Sequence, residues 1–173
     1  MVLVSGKRTE LRFYFGAHIA IGFPYSMQHL GRPVELLLVG DHPADAKLTE
    51  EALAQGVEIG HVTVAADSAQ AMEFLRREPP HFSSAPRPDI ILLDVGLPRA
   101  NGHHLLEEIK SDPRLRRIPV MVLSDSATAE DLERVYSLHA NCYIRKPARL
   151  ADFVEVIRCI ERFWFGIVTL PTR

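Results

Sequence analysis

Four runs of largely apolar residues along the chain each lead into a polar side chain: Asp41, Asp94, Ser124 and Lys146. The run before Asp94, Ile90-Ile91-Leu92-Leu93, is apolar on both sides, which is typical of a central strand in a parallel sheet with helices on both faces. The intervals between Asp94, Ser124 and Lys146 each have room for one helix and two loops, as crossovers between parallel strands require. The pattern therefore predicts an α/β protein.

Apolar residues at helical spacing predict five helices that alternate with the strands. We expect Ser68 and Thr128 to cap the second and fourth of these helices. The prediction is a doubly wound, five-stranded parallel sheet with a C-terminal extension. Its helices are expected at 45–55, from Ser68 onward, and at 102–110, 128–139 and 151–164, with a short strand at 62–65 between the first two.

The polar residues at the strand ends are candidates for one shared site. The carboxyl ends of parallel strands lie along one edge of a sheet, where such folds bind their ligands. Two carboxylates, a hydroxyl and an ammonium can hold a divalent cation and a phosphoryl group there, because hard cations prefer oxygen ligands and phosphoryl oxygens attract positive charge. Each residue has a simpler alternative: Asp94 and Ser124 as turn residues, and Lys146 as a solvated lysine.

Three local motifs add to this pattern. Lys146 is followed by Pro147, Tyr143 lies three residues before Lys146, and residues 97–102 read Leu-Pro-x-x-Asn-Gly. With these motifs the segment from Val34 to Trp164 resembles the receiver domains of two-component response regulators. The fold implied is flavodoxin-like, and the aromatic, proline-containing C-terminal end is similar to that of single-domain receivers paired with phytochrome-type histidine kinases.

The resemblance assigns a role to each residue at the strand ends. It implies that Asp94 is the phosphoacceptor and that Ser124 and Lys146 contact the transferred phosphoryl group. Tyr143 and Ser124 would form the switch that responds to phosphorylation. Such chemistry depends on positioning and electrostatics more than on covalent catalysis, so an aspartate, although a weak nucleophile, is sufficient.

The resemblance also implies a Mg²⁺ site, formed by Asp41, Asp94 and the backbone carbonyl of Gly96. Two departures from the receiver pattern bear on that site. Gly40 occupies the position where receivers usually have the first of two adjacent acids, and Asp125 replaces the small residue that usually follows the hydroxyl. Since both changes disfavour the binding of a cation or a dianion, we expect phosphorylation to be slow or only weakly dependent on the metal.

The function predicted is that of a stand-alone response regulator that accepts a phosphoryl group from a sensor histidine kinase and signals by protein contact. It is not expected to be an enzyme beyond its own phosphotransfer and dephosphorylation. One alternative is a degenerate receiver that acts through contacts without phosphorylation. Another is a phosphatase of the haloacid-dehalogenase class, which requires a second acid at the position of Gly96.

Composition limits the kinds of partner and the cellular compartment that we expect for this protein. The formal net charge is −2, and no cluster of basic residues indicates binding to nucleic acid or to a membrane surface. Cys142 and Cys159 are the only cysteines, and we expect both to be reduced core residues of a cytoplasmic protein.

The two ends of the chain fall outside the receiver pattern. Residues 1–33 contain an apolar stretch that superficially resembles a signal peptide, but the stretch is interrupted by His18 and Pro24. We expect 1–33 to be an extension, either an upstream reading before a natural start at Met27 or a segment that packs on a partner, with the receiver at 34–164 and a tail at 165–173. Because the last helix and the tail are rich in aromatic and aliphatic residues, we expect a homodimer formed through 151–171, although a tail folded back on its own core is the alternative.

Overall fold

The computed structural model describes residues 10–14, 20–24, 33–53, 59–96, 102–126 and 128–171. Near the N-terminus, β1 (Glu10–Tyr14) and β2 (Ala20–Pro24) pair as an antiparallel hairpin. The sequence did not predict these two strands. The remaining elements, in chain order, are β3 (Val34–Val39), α1 (Pro43–Leu53), β4 (Ile59–Ala65), α2 (Ser68–Arg76), β5 (Ile90–Asp94), α3 (Gly102–Ser111), β6 (Val120–Ser124), α4 (Ala129–Ser137), β7 (Cys142–Arg145) and α5 (Leu150–Gly166).

The central sheet has five strands in the order β4-β3-β5-β6-β7, and all neighbouring strands are parallel. The predicted doubly wound α/β fold is therefore confirmed. The strand order reverses between β3 and β5, and in doubly wound sheets ligands bind beyond the carboxyl ends of the strands at such a switch point. The ends of β3 and β5 carry Asp41 and Asp94.

The strands bury both of their faces, as their continuous apolar runs predicted. In β3, Leu37 and Val39 join one core cluster, whereas Leu36 and Leu38 join the other. This alternation follows from the two-residue period of a strand. Helices α2, α3 and α4 contribute buried residues to the first cluster, and α1 and α5 contribute to the second.

The helix caps match the prediction in one case and correct it in another. Thr128 is the N-cap of α4, and its side chain accepts a hydrogen bond from the Asp131 amide at 3.1 Å. The predicted cap Ser68 is wrong, since the N-cap of α2 is Asp67, whose carboxylate accepts from the Gln70 amide at 2.9 Å. Asp is as good an N-cap as Ser, so the residue type alone did not decide between neighbours.

The C-terminal tail folds onto its own subunit along the part of the chain that the structure describes. Helix α5 continues to Gly166, past the predicted boundary at 164. Phe165 and Leu170 are buried in the second core cluster, and Trp164 and Val168 pack against that cluster. The alternative of a folded-back tail therefore describes these residues, although Phe163 remains 43 % exposed.

The cysteines correct a smaller expectation. Both are free thiols, but Cys159 is exposed on α5 and only Cys142 is partly buried. Burial raises the pKa of the Cys142 thiol to about 11, which leaves it protonated and unreactive near neutral pH. The expectation that Cys159 is a core residue is wrong, because the apolar face of α5 is formed by other positions, among them Phe153, Ile157 and Ile160.

The burial of Leu170 predicts that the tail stabilises the domain. Leu170→Ala removes a side chain that is 4 % exposed and should lower the free energy of unfolding by about 2 kcal/mol. Thr169→Ala, at an exposed neighbouring position, is the matched control and should change it by less than about 0.5 kcal/mol. Urea denaturation of the full chain measures both. Equal stability of the two variants would show that the tail does not pack on the core in solution.

Candidate functional site

The carboxylate of Asp94 lies at the carboxyl end of the central strand β5, and its side chain is only 5 % exposed. Its Oδ1 atom accepts a hydrogen bond from the backbone amide of Gly96 at 2.9 Å. Its Oδ2 atom accepts from the ammonium group of Lys146. A buried carboxylate requires partners of this kind, because an unpaired charge away from water is costly.

Lys146 contacts a second carboxylate as well as Asp94. Its Nζ atom donates to Asp45 Oδ2 at 3.0 Å, and its side chain is 8 % exposed. Burial disfavours the ammonium form, but the hydrogen bonds and charges of Asp94 and Asp45 outweigh this effect, so the pKa of Lys146 is raised above its usual value. Lys146 is therefore a charged group of the site and not a solvated lysine.

Backbone bonds fix Ser124 next to Lys146. The Lys146 amide donates to the carbonyl of Ser124 at 2.8 Å, which extends the pairing of β6 and β7 to the sheet edge. Ser124 is buried, and its hydroxyl oxygen accepts from the Ser126 amide at 3.2 Å. The Tyr143 hydroxyl donates to the Ser126 carbonyl, so Tyr143 contacts the same loop that follows Ser124.

A close approach of α3 to the end of β5 explains one glycine. A Cβ atom at Gly102 would lie 2.8 Å from the Val95 Cα and 3.1 Å from the carbonyl oxygen of Asp94. Since real Cβ atoms do not approach backbone that closely, any other residue would push the start of α3 away from the site. The rest of the Leu-Pro-x-x-Asn-Gly motif, residues 97–101, lies outside the described residues.

The predicted Mg²⁺ ligand Asp41 lies beside His42. Its Oδ1 atom lies 2.8 Å from Nδ1 of His42, and its side chain is 31 % exposed. The group of ligating atoms that the structure brings together consists of His42, Asp45 and Asp94, which lie within 4.8 Å of one another. The assignment of Asp41 and the Gly96 carbonyl as ligands stays a prediction.

Sequence reasoning missed His42 and Asp45 as members of the site. Asp45 is in the first turn of α1, so it was interpreted only as part of a packing helix. The signal that could have found it is its position: a helix that follows a strand in a doubly wound fold begins at the same sheet edge where the strand ends. An acid in that first turn therefore lies close to acids at the strand ends.

The donors at this edge suit a divalent cation. Asp94, Asp45 and Asp41 supply carboxylate oxygens, the ligands that hard divalent cations prefer in proteins. An ammonium group is already held between Asp94 and Asp45, so these carboxylates accept a shared cation. The residues present therefore fit the metal that the receiver resemblance implies.

Comparison with known proteins identifies the family. The family model for the response regulator receiver domain matches residues 36–158 of this chain. The chain belongs to the response regulator receiver family, whose members are signalling proteins that bind a divalent metal.

Individual relatives agree with this assignment. The chain is 40 % identical over 139 residues to response regulator Rcp1 of Synechocystis, an alignment that covers 80 % of this chain and 94 % of Rcp1. The crystal structure of the Mn²⁺-bound form of Rcp1 covers 81 % of this chain and 100 % of its own, with a TM-score of 0.76. The crystal structure of the phosphorylated cyanobacterial phytochrome response regulator RcpA is 44 % identical in sequence to this chain and has a TM-score of 0.77. It covers 82 % of this chain and 100 % of its own.

These comparisons favour a response regulator over the phosphatase alternative, since every named relative is a regulatory protein. Within the described residues, no helix is both long enough and apolar enough to cross a membrane.

Proposed function

We propose that this response regulator acts as a stand-alone phosphorelay protein that accepts a phosphoryl group on Asp94 from a sensor histidine kinase. The observation that carries the proposal is the buried Asp94 carboxylate in contact with the Lys146 ammonium at the carboxyl edge of the sheet. The similarity to RcpA, a phytochrome response regulator crystallised in its phosphorylated form, supports a phytochrome-type kinase as the donor.

The residues at the edge can each contribute to the transfer. A carboxylate oxygen of Asp94 attacks phosphorus, the bond from phosphorus to the donor imidazole breaks, and the imidazole leaves. Lys146 offsets the negative charge on the phosphoryl oxygens. The Ser124 oxygen already accepts a bond from Ser126, and its own proton can be donated to a phosphoryl oxygen. Tyr143 and Ser124 are then the switch residues, because both are bonded to the loop that begins at Asp125.

A divalent cation bound beside Asp94 would neutralise charge on the attacking and transferred oxygens. We propose Mg²⁺ as an ion of this site, with Asp41, Asp94 and the Gly96 carbonyl as the ligands that the receiver pattern implies. Gly40 removes one carboxylate from this set, and Asp125 adds a negative charge near Gly96. A Cβ atom at Gly96 would lie 3.3 Å from Asp94 Oδ1 and 3.8 Å from Asp125 Oδ2, so both carboxylates lie close to Gly96.

A homodimer through residues 151–171 is a separate part of the proposal. Phe165 and Leu170 are used by the subunit's own core, so the surface that remains is smaller than the sequence predicted. It centres on Phe163, which is 43 % exposed and contacts Trp164 edge to face, with the ring centroids 5.7 Å apart. Exposed aromatic side chains of this kind are common anchors of interfaces.

The first prediction is that Asp94 is the sole phosphoacceptor. With Mg²⁺ and a small phosphodonor, intact-mass measurement should show one added phosphoryl group on the full chain, and none on Asp94→Asn. The amide cannot form the acyl phosphate, while its carbonyl still accepts a hydrogen bond from Lys146. Asp45→Asn is the control for loss of charge near Lys146 and should still be labelled. Labelling of Asp94→Asn at the wild-type level would contradict the assignment of Asp94 as phosphoacceptor. If the wild type itself is not labelled, the phosphorylation-independent alternative is favoured.

The second prediction concerns Gly40. Gly40→Glu should tighten Mg²⁺ binding several-fold, because it adds a carboxylate near the cation. There is space for the change: a Cβ atom at Gly40 has Asp94 Cβ at 3.8 Å, an ordinary contact. Gly40→Gln has nearly the same shape without the charge and should have little effect. Calorimetric titration with Mg²⁺ compares the three proteins, and equal affinity of all three would show that the missing acid does not limit the metal site.

The third prediction tests the dimer. Light scattering at micromolar concentration should give the mass of two chains for the full protein and of one chain for Phe163→Asp. Leu150→Asp is a matched control, because Leu150 is 63 % exposed on the same helix but lies outside 151–171. It should leave the dimer intact. A monomer mass for the unmodified protein would contradict the proposal.

A further inference from the structure

The edge of the sheet opposite Asp94 contains a cavity that the proposed function does not use. It has a volume of about 360 Å³ and lies where the chain enters β5 and β6, since Asp89 and Pro119, which directly precede those strands, both line it. We call it the amino-edge cavity. The length of β5, roughly 16 Å, separates it from the carboxyl edge. Its volume is within the range of pockets that bind small organic molecules.

Three guanidinium groups line the amino-edge cavity. Arg114 and Arg117 come from the loop before β6, and Arg87 comes from the segment before β5. Asp89 is the only acid among the lining residues that the structure describes, and its Oδ2 atom already accepts a hydrogen bond from the Glu35 amide at 3.0 Å. Because like charges repel, positive side chains gathered around one cavity favour an anion within it.

The three arginines differ in how they are held. Arg87 Nη1 donates to the carbonyl of Arg114 at 3.1 Å, which joins the two segments that enter the sheet. Arg114 Nε and Nη2 donate to the Asp112 carboxylate at 3.3 and 3.1 Å. The side chain of Arg117 is exposed and makes no hydrogen bond or ion pair within the described part of the chain. Since these bonds leave most guanidinium donors unused, all three groups can bind an oxyanion, and Arg117 can do so through two parallel bonds.

The apolar wall of the amino-edge cavity is formed by Ile118 and by four prolines: Pro88, Pro113, Pro119 and Pro171. Pro171 reaches the cavity from the C-terminal tail, where the preceding residue, Leu170, is buried in the core. Proline fixes its own φ angle, so these segments have little conformational freedom to lose when a ligand binds. Rigid apolar rings of this kind can cover the uncharged, flat part of an organic molecule.

We propose that the amino-edge cavity binds a small phosphate monoester that carries a ring system. Guanidinium groups match the geometry of phosphate oxygens, and a phosphate dianion is attracted more strongly by several positive charges than a carboxylate monoanion is. The arginines hold the phosphate, and the prolines and Ile118 cover the ring. The inference does not depend on the proposed function, because Asp94 and Lys146 are not among the described residues that line this cavity.

The ligand class is tested by calorimetric titration of the full chain without added metal. AMP and phenyl phosphate are the probes, and both should bind at least about tenfold more tightly than inorganic phosphate, which lacks the ring. Adenosine, which lacks the phosphate, should bind at least about tenfold more weakly than AMP. The proposal is overturned if neither ester binds at millimolar concentration, or if inorganic phosphate binds as tightly as AMP.

The role of the arginines is tested with Arg117→Ala, which should weaken AMP binding by about tenfold or more. The substitution should leave the fold intact, because this side chain makes no bond within the described residues. Arg116→Ala is the matched control: Arg116 is an exposed arginine of the same loop and is not among the described lining residues. It should change AMP binding by less than about twofold. Equal effects of the two substitutions would contradict the proposal.

Amide NMR locates the bound AMP independently of affinity. Addition of AMP should shift the amide signals of Arg87, Asp89 and Ile118 and leave those of Asp94 and Lys146 in place. In Arg117→Ala, the same AMP concentration should produce smaller shifts. Shifts confined to Asp94 and Lys146 would put the phosphate at the carboxyl edge of the sheet and would overturn the proposal.

Discussion

The ammonium of Lys146, held between the carboxylates of Asp94 and Asp45, is the interaction on which the site depends. It joins the end of β5, the residue after β7 and the first turn of α1, so three separate elements meet at one buried charge. Removing one partner of a buried ion pair typically costs about 3–5 kcal/mol, because the other charge is left without compensation. In this protein the lysine has two carboxylates, so the loss of either leaves one partner in place.

This arrangement reconciles stability with reactivity. Asp94 is nearly inaccessible and each of its oxygens accepts a hydrogen bond, as in a structural residue, yet its partners are the groups that a phosphorylated Asp94 would need. The neighbours of Asp94 stabilise negative charge in the unmodified protein, and the same neighbours can stabilise the greater negative charge of an acyl phosphate. If Asp94 is the phosphoacceptor, the electrostatic environment is built by folding before any donor binds, and little reorganisation is required for the transfer.

Gly40, just after β3, is a departure from the receiver pattern that lies beside Asp94. It lacks the carboxylate that the receiver pattern usually provides, while ligating atoms of His42, Asp45 and Asp94 lie within 4.8 Å of one another. Gly40 itself adopts a backbone conformation open to other residues and has space for a Cβ atom. The glycine is therefore not required by the fold, and what it changes beside Asp94 is the charge that the receiver pattern would place there.

The continuous apolar runs and the helix-length intervals between them were sufficient to predict the parallel sheet, because strands that are apolar on both sides need helices on both faces. They also located Asp94, Ser124 and Lys146 at one edge, since parallel strands end together. Tertiary packing decided what the pattern could not express. Asp45, in the first turn of α1, contacts Lys146, and Asp41 lies beside His42. The N-cap of α2 is Asp67 and not Ser68. Likewise, the tail packs Phe165 and Leu170 on the subunit's own core. Periodicity specifies which face of an element is apolar, but side-chain neighbours across elements depend on distances of a few ångströms, which only the folded chain determines.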